Sequence, residues 1–347
     1  MLPHRSPEQP ARLAGVLLLA LALATLPDVA PAQQRAPEPP ASIEITAQRL
    51  PGFAHSDSSR RQFGLLEFRG GLALTSSFKQ FGGLSAIKVQ PDGANFIALT
   101  DKGWWLKGRI VYDGNRPSGI ADAQMAPILG PDGLALAARG WYDTESIAQD
   151  GGTLYVGIER VNRIVRFDFG KDGLLARGQP IDVPPAVRGL PNNKGLEALV
   201  FVPRGLPLGG ALIAISERGL NRDGNLLAFI IGGPRAGSFA LKRSADFDVS
   251  DAALLPSGDL LVLERKFSWS TGLFVRIRRI RLMDVQPGAL VDGPVLFEAD
   301  LGYAIDNLEG LSVHRGPKGE TVLTMVSDDN FSALQRTLLL QFTLPEP

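Results

Sequence analysis

Short apolar runs separated by glycine-rich turns recur along most of the chain. They are FIALT (96–100), TLYVGI (153–158), ALIAIS (211–216), DLLVL (259–263) and TVLTMVS (321–327). Each run follows a turn-forming cluster such as PDG, QDGG, PLGG, PSG or GPKG. β-rich runs bounded by such turns predict consecutive β-hairpins, and patterns with a helical period are scarce.

Five hairpin segments align with one another and indicate an internal repeat. Their equivalent starting positions are Ser85, Glu145, Glu197, Asp251 and Glu309. The spacings between these positions are 60, 52, 54 and 58 residues. A period of about 50 residues in an all-β sequence predicts a single β-propeller with one hairpin in each blade. A β-sandwich with coincidental hairpins is the alternative fold.

The two ends of the chain predict one more blade. Residues 63–76 and the C-terminal run at 336–344 both have the pattern of a strand. Pairing of these N- and C-terminal strands would close a six-bladed propeller and leave no exposed sheet edge. We therefore expect six blades.

Acidic residues mark both ends of the repeated hairpins. The start of the first strand lies beside the end of the second in an antiparallel hairpin, so both acids should share one rim. The pairs are Glu145–Glu159, Glu197–Glu217, Asp251–Glu264 and Glu309–Asp328, with Asp101 opposite Ser85. If the blades surround one axis, the acidic rims of all the hairpins lie close together around it. Crowded carboxylates then require cations, arginines or raised pKa values.

This acidic rim supplies candidates for three roles. Oxygen ligands suit a hard cation, Ca²⁺ in the first place and Mg²⁺ as the alternative. The metal-ligand candidates are Asp101, Glu159, Glu217, Glu264, Asp328 and Asn307. The catalytic candidates are Glu145, Glu197 and Glu309, and the substrate-binding candidates are Arg160, Arg218, Arg265, Lys102 and Asn193. The alternative is a structural lattice in which the arginines bridge acids of neighbouring blades.

The composition narrows the available chemistry. The chain has no cysteine, which excludes thiol catalysis, and three histidines, too few for a typical zinc hydrolase site. It contains no GxSxG elbow, P-loop or GxGxxG motif. A net charge of zero predicts no nucleic-acid partner. The four tryptophans, at 104, 105, 141 and 269, either pack between blades or stack on a ligand at the mouth.

The N-terminus has the pattern of an export signal. Basic residues precede an apolar run at 13–24 that is short for a membrane span, and Ala30-Pro31-Ala32 predicts cleavage after Ala32. An uncleaved anchor is the alternative. Residues 33–41 predict a Pro-rich linker, and 42–347 the propeller domain. We expect a periplasmic or secreted protein without a membrane span after cleavage.

Six longer motifs cover most of the predicted domain. They are FRGGLALTSSFKQFGGLSAI (68–87), DGANFIALTDKGWW (92–105), PNNKGLEAL (191–199), GDLLVLERKFSWSTGLFVRIRRI (258–280), IDNLEGLSV (305–313) and SDDNFSALQRTLLLQF (327–342). In this order they resemble the bacterial "esterase-like activity of phytase" domain family, over roughly residues 63–344. The resemblance implies a β-propeller-like fold whose recurring Glu and Asp residues form an active or metal site.

The residues that match the family's acidic positions coincide with those found from spacing. They are Asp101, Glu145, Glu159, Glu197, Glu217, Glu264, Glu309 and Asp328. Lys102 departs from the pattern, because the resemblance leads us to expect arginine after Asp101. Lysine keeps the charge but loses bidentate hydrogen bonding.

These observations lead to three functional hypotheses. The first is an exported, metal-dependent hydrolase of phosphate esters that acts on a small phosphorylated substrate. The second is a non-catalytic propeller that binds a ligand or a protein, in which the acids hold a structural cation or form the acid–Arg lattice. The third is a lactonase-like or sugar-oxidising propeller.

Overall fold

The computed structural model describes residues 38–345. The predicted signal segment, 1–32, and residues 33–37 of the predicted linker lie outside the described residues. The first strand begins at Ala41, the last residue assigned to the linker. No described helix is both long enough and apolar enough to cross a membrane.

Strands account for most of the described chain. In chain order they are β1 (Ala41–Ser42), β2 (Thr46–Arg49), β3 (Gln62–Phe63), β4 (Leu66–Thr75), β5 (Leu84–Val89), β6 (Asn95–Thr100), β7 (Trp104–Asp113), β8 (Arg116–Pro127), β9 (Thr144–Asp150), β10 (Thr153–Ile158), β11 (Arg163–Asp168), β12 (Gln179–Pro180), β13 (Leu196–Phe201), β14 (Leu212–Leu220), β15 (Leu226–Ile231), β16 (Gly237–Leu241), β17 (Asp248–Leu254), β18 (Leu260–Ser268), β19 (Gly272–Ile280), β20 (Leu290–Val291), β21 (Val295–Asp300), β22 (Asn307–Arg315), β23 (Thr321–Asp328) and β24 (Thr337–Leu344).

The helices in the described range are single turns. Two are α-helical, α1 (Phe169–Asp172) and α2 (Pro185–Arg188). Four are 3₁₀ turns, at Leu136–Arg139, Glu159–Val161, Gly173–Leu175 and Leu282–Asp284. The all-β prediction is therefore confirmed.

Within residues 38–345 the strands form five sheets, which are the blades of a single β-propeller. Blade 1 has the order β1-β8-β7-β6-β5, and blade 2 has β12-β11-β10-β9. Blade 3 is β13-β14-β15-β16-β20, blade 4 is β17-β18-β19-β21, and blade 5 is β2-β4-β24-β23-β22. The innermost strands β5, β9, β13, β17 and β22 pack side by side in this order, and β22 also packs against β5.

The prediction of six blades is wrong. Strands β4 and β24 pair antiparallel, as expected for residues 63–76 and 336–344, but β24 also pairs with β23. The two strands therefore extend the β22–β23 hairpin and complete the fifth blade. A hairpin alone supplies two strands, and the chain ends provide the other strands that this blade needs.

Each blade is buried on both faces, which explains the continuous apolar runs in the sequence. Along β14, Ile213 and Ile215 pack in a core shared with blade 4, whereas Leu212 and Ala214 pack in a core shared with blade 2. Successive residues of a strand face opposite sides. A strand between two neighbouring blades must therefore be apolar at almost every position.

The inner strand of every blade carries a β-bulge at the same place. The pairing with the second strand skips one residue near the start of each inner strand. The skipped residues, which we call the bulge positions, are Ser85, Glu145, Glu197, Ser250 and Glu309. A bulge re-aims side chains and increases the local twist. The repeated bulge thus sets which side chains turn towards the propeller axis.

Candidate functional site

The starts of the inner strands surround a cavity of about 880 Å³. One residue near the end of each second strand lines it; these strand-end positions are Asp101, Glu159, Glu217, Arg265 and Asp328. The three bulge glutamates, Glu145, Glu197 and Glu309, line it as well. The structure therefore brings together acids from blades 1, 2, 3 and 5 that are up to 227 residues apart in sequence (Asp101 to Asp328).

Blade 4 departs from the predicted alignment by one residue. Val249 pairs with Glu264, and Asp248 pairs with Arg265. The corresponding pairs of blade 5 join Leu308 to Ser327 and Asn307 to Asp328. Arg265 is thus the structural equivalent of Asp328, and Glu264 is the equivalent of Ser327. One blade therefore contributes a guanidinium where the other four contribute a carboxylate.

Glu264, which was predicted to lie at the mouth as a metal ligand, does not line the cavity. Glu264 is fully buried within blade 4 and accepts hydrogen bonds from Arg276 Nε at 2.6 Å and from Arg278 Nη2 at 2.5 Å. Arg278 also donates to the Lys242 carbonyl and to Asp292, and so links blade 4 to the chain that follows β16 of blade 3. Adjacent strand residues face opposite sides, so Glu264 and Arg265 cannot both reach the cavity.

Asp251 also lies away from the cavity, contrary to its predicted pairing with Glu264 at the rim. It follows the bulge residue Ser250 and is fully buried. Its carboxylate accepts hydrogen bonds from the amides of Ala252 and Leu311, both at 2.7 Å. Burial raises the pKa of Asp251 to about 7, and Lys88 opposes that rise. Asp251 therefore joins blade 4 to the inner strand of blade 5.

Three glutamates form the tightest acidic group. One carboxylate oxygen each of Glu159, Glu197 and Glu217 lies within 4.8 Å of the other two, and all three side chains are buried. The Gly195 amide donates to Glu159 Oε1 at 2.7 Å and thereby holds this carboxylate of blade 2 against blade 3. Lys194 Nζ lies 3.6 Å from Glu217 Oε2. We call this group the glutamate triad.

Arg265 is the cation at the centre of the site. Its Nη2 lies 3.2 Å from Glu309 Oε1, 3.5 Å from Glu217 Oε1 and 3.7 Å from Glu197 Oε1. Its Nη1 donates to Asn307 Oδ1 at 2.6 Å, and Asn307 Nδ2 donates to Glu309 Oε1 at 2.8 Å. Burial would lower the pKa of Arg265, but Glu309, Glu197 and Glu217 raise it above its ordinary value. The guanidinium therefore stays charged.

The crowded acids have strongly raised pKa values. Burial raises the pKa of Glu309 to about 8, with Asp328 adding to the rise and Arg265 opposing it. Burial and then Glu217 raise the pKa of Glu197 well above its ordinary range. Burial raises the pKa values of Asp101 and Glu159 to about 7, and that of Asp328 to about 6. Arg265 alone does not compensate the negative charge of this cavity.

The remaining predicted substrate contacts are divided between the cavity and its surroundings. Asn193 and Arg218 line the cavity, and Arg218 is paired there with Asp248. Lys102 lies outside it, with Nζ 2.8 Å from the centre of the Phe331 ring. Arg160 is exposed and lies 5.2 Å from the centre of the Tyr142 ring, also outside the cavity lining.

The sequence interpretation missed several cavity residues. They include Asp143, Lys194 and Asp248, together with the apolar side chains Phe267, Leu273, Leu301 and Leu334. Trp269, one of the tryptophans considered for stacking at the mouth, also lines the cavity. Asp143 and Asp248 occupy the same blade position as Asn307, two residues before the bulge. An alignment anchored on that position, rather than on the acids, would have found both and would have assigned Arg265 correctly.

Comparison with known proteins identifies a family for most of the chain. The model of the phytase-like family, described as "Esterase-like activity of phytase", matches residues 79–331. The match includes the bulge positions and the strand-end positions of all five blades. No curated protein matches the sequence.

Two solved structures match the chain at low sequence identity. A glutaminyl cyclase from Myxococcus xanthus has 11% identity and a TM-score of 0.40, with 76% of this chain and 92% of that chain covered. A PQQ-bound aldose sugar dehydrogenase from Streptomyces coelicolor has 11% identity and a TM-score of 0.40, with 79% and 97% covered. With TM-scores below 0.5, neither similarity bears on the site or its chemistry.

Proposed function

Because the chain belongs to the phytase-like family described as esterase-like activity of phytase, we propose that it hydrolyses phosphate esters with the help of a divalent cation. The observation that carries this proposal is the glutamate triad, in which Glu159, Glu197 and Glu217 approach within 4.8 Å. Carboxylate oxygens at this density are ligands for Ca²⁺ or Mg²⁺ rather than for a softer metal.

Two further features support a bound cation. Asp101 Oδ1 is buried and has no hydrogen-bond partner among residues 38–345, so an oxygen ligand is available beside the triad's cavity. Burial and mutual repulsion also raise the pKa values of Glu159 and Glu197. A divalent cation would favour the ionised carboxylates and remove this repulsion. The residues present therefore fit Ca²⁺ or Mg²⁺.

The protein's own residues divide into two groups in this proposal. Glu159, Glu197 and Glu217 would hold the cation, which when bound offsets phosphoryl charge and acidifies water. Arg265 and Asn307 contact the carboxyl group of Glu309 beside the triad, where blades 4 and 5 line the cavity. Arg218, which lines the same cavity, would contact phosphoryl oxygens.

Glu309 and Glu145 are the proposed proton carriers. With a pKa of about 8, Glu309 carries a proton at neutral pH and can give it to the leaving alcohol oxygen. Glu145 is partly exposed, and burial and then Glu309 raise its pKa well above the usual range. A bound cation would favour the ionised form of Glu145, which would then accept a proton from the attacking water. Two neighbouring carboxylates with different environments are suited to such a division of roles.

One observation favours a second candidate function. Arg265 already contacts three carboxylates, as expected for the acid–Arg lattice of a non-catalytic binding propeller. In that case the guanidinium is the structural cation, and the cavity binds a ligand without turnover. The two candidates differ in their need for a divalent cation.

The test combines cation binding with turnover. The chain lacking residues 1–32 is titrated calorimetrically with CaCl₂ and MgCl₂, and phosphate release is measured from a panel of phosphomonoesters and diesters. We expect stoichiometric cation binding, and phosphate release that stops in EDTA and returns with Ca²⁺. Glu197→Gln should abolish both, whereas Glu298→Gln, at an exposed position on an outer strand, should change neither.

The outcomes separate the two candidates. Double replacement of Glu197 and Glu309 by Gln, with folding retained and turnover lost, supports the hydrolase. No turnover of any ester, with or without Ca²⁺, together with a loss of stability in the double variant, supports the binding propeller. We also propose export to the periplasm or the medium, on the sequence pattern of residues 1–32 alone.

A further inference from the structure

An apolar wall stands beside the acids in the same cavity. It consists of Phe267, Trp269, Leu273, Leu301 and Leu334, all of which line the cavity. Trp269 is 96% exposed and Leu334 is 94% exposed, so both side chains are almost fully in solvent. We call this group the apolar wall.

Several exposed apolar side chains line this one cavity. Of the eleven large hydrophobic residues that are exposed within residues 38–345, four belong to the apolar wall: Phe267, Trp269, Leu301 and Leu334. Single exposed hydrophobic residues are ordinary, but a contiguous group at a cavity marks a binding surface. The other tryptophans differ, because Trp104 and Trp105 are buried and Trp141 is partly buried.

The wall is continuous with the site through β18. Arg265 and Phe267 are two residues apart on this strand and therefore face the same side, about 7 Å apart along it. Phe267 pairs with Leu273 of β19, and Leu301 lies over Gly272 at the tip of the same hairpin. The Phe267 and Trp269 rings meet edge to face, with centroids 5.3 Å apart. A ligand held at Arg265 would thus extend onto this hairpin.

The two halves of the cavity select different parts of a ligand. The acids, Arg218 and Arg265 form a polar floor that can take one phosphoryl group together with a cation. The apolar wall offers ring faces and methyl groups, which gain free energy by covering apolar surface and cannot solvate further phosphates. A highly phosphorylated substrate would place anionic groups against this wall and near uncompensated carboxylates.

We propose that the substrate is a phosphate ester with a flat, apolar alcohol portion, and that Trp269 and Phe267 bind this portion as specificity-determining residues. This inference rests on the proposed function, since the phosphoryl group is assigned to the acidic floor. It deepens that function by favouring aryl esters over sugar or polyol phosphates.

The experiment measures binding separately from turnover. Phenylphosphonate and methylphosphonate, which are not hydrolysed, are titrated in the presence of CaCl₂ into the wild type, Trp269→Ala and Phe267→Ala. Calorimetry gives the affinities. Tryptophan fluorescence is followed as each phosphonate is added, and a change that occurs in the wild type but not in Trp269→Ala reports contact of the ligand with the Trp269 ring. Met283→Ala is the matched control, because Met283 is 81% exposed but lies outside the cavity lining.

We expect phenylphosphonate to bind about fivefold to tenfold more tightly than methylphosphonate, as stacking on one or two aromatic rings provides. Trp269→Ala should remove most of this preference without changing the affinity for methylphosphonate. Met283→Ala should leave the preference for phenylphosphonate unchanged. In turnover, kcat/KM for phenyl phosphate should fall by the same factor in Trp269→Ala, with glycerol phosphate unaffected.

Equal affinities for the two phosphonates in the wild type, or a preference that survives in both Trp269→Ala and Phe267→Ala, would overturn the proposal. Absence of binding by either phosphonate would overturn it too. A phenyl preference without hydrolysis of any ester would leave the wall's role standing and refute the hydrolase. Hydrolysis of phosphate esters without a preference for the phenyl ligand would support the hydrolase and refute the binding role of the apolar wall.

Discussion

Arg265 Nη2 lies 3.2 Å from Glu309 Oε1, at a strand-end position where each of the other four blades carries an acid. The contact exists because the pairing of β17 with β18 turns Arg265, and not Glu264, towards the axis. One guanidinium therefore contacts carboxylates from two other blades, Glu197 and Glu217 of blade 3 and Glu309 of blade 5. Removal of Arg265 is the most direct test of how the cavity tolerates the negative charge of its carboxylates.

Replacement of Arg265 by Gln should destabilise the cation-free protein by about 3–5 kcal/mol at pH 8, because it leaves buried carboxylates without their main cation. Ca²⁺ should restore more stability in this variant than in the wild type. Urea unfolding with EDTA and with Ca²⁺ measures both quantities. Arg281→Gln, which removes an exposed arginine that does not line the cavity, is the control. A loss below about 1 kcal/mol would contradict the role assigned to Arg265.

The cation-free protein should lose stability as the pH rises from 5 to 8. The pKa of Glu309 is raised from an ordinary 4.5 to about 8, and those of Glu159 and Asp101 to about 7. The folded state therefore holds more protons than the unfolded state in this window, so stability falls as they leave. The charged groups that line the cavity are Asp101, Asp143, Glu145, Glu159, Lys194, Glu197, Glu217, Arg218, Asp248, Arg265, Glu309 and Asp328.

Thermal unfolding in EDTA at pH 5, 6, 7 and 8 checks this pH dependence. Glu309→Gln should flatten the decline between pH 6 and 8, since it removes a group whose pKa of about 8 makes it lose its proton near the top of that window. Saturating Ca²⁺ should also flatten it, because the cation replaces the protons. A melting temperature that rises steadily to pH 8 in EDTA would refute the assignment.

Replacement of Glu264 by Gln should destabilise the fold and leave the cavity unaffected. Arg276 and Arg278 would lose their shared buried carboxylate, at a cost of about 3–5 kcal/mol. Calcium affinity should stay within about twofold of the wild type, whereas Glu217→Gln, in the triad, should reduce it at least about tenfold. Calorimetric titration of the two variants provides the comparison. A larger loss of calcium affinity in Glu264→Gln than in Glu217→Gln would instead assign Glu264 as a metal ligand.

Replacement of Gly195 by Ala should weaken both stability and cation binding. An added Cβ would lie 2.1 Å from Asn162 Oδ1 and 2.5 Å from the Pro191 carbonyl, so the loop must shift. The same residue's amide donates to Glu159, whose carboxylate would move with it. We expect a loss of about 1–3 kcal/mol and a lower calcium affinity. Gly119→Ala, where the nearest heavy atom is 3.9 Å away, should change neither.

The hairpins and their repetition follow from local sequence patterns. Apolar runs and turn residues act locally, so the β5–β6, β9–β10, β13–β14, β17–β18 and β22–β23 pairs were predicted and are confirmed. Local acids at strand ends also indicated a shared rim. Glu159, Glu217 and Asp328 do meet there, because equivalent hairpins in a propeller present equivalent ends to one axis.

The number of blades and the residues that form the site depend on long-range packing. Residues 63–76 pair with residues 336–344, which also pair with β23, and no local pattern shows which hairpin a distant strand will join. The register in which β17 pairs with β18 in blade 4 could not be predicted from the sequence either. Glu264 and Arg265 are neighbours in sequence, but a shift of one residue exchanges the faces of a strand. Hydrogen bonding across the bulge at Ser250, rather than residue type, selects the residue that faces the cavity.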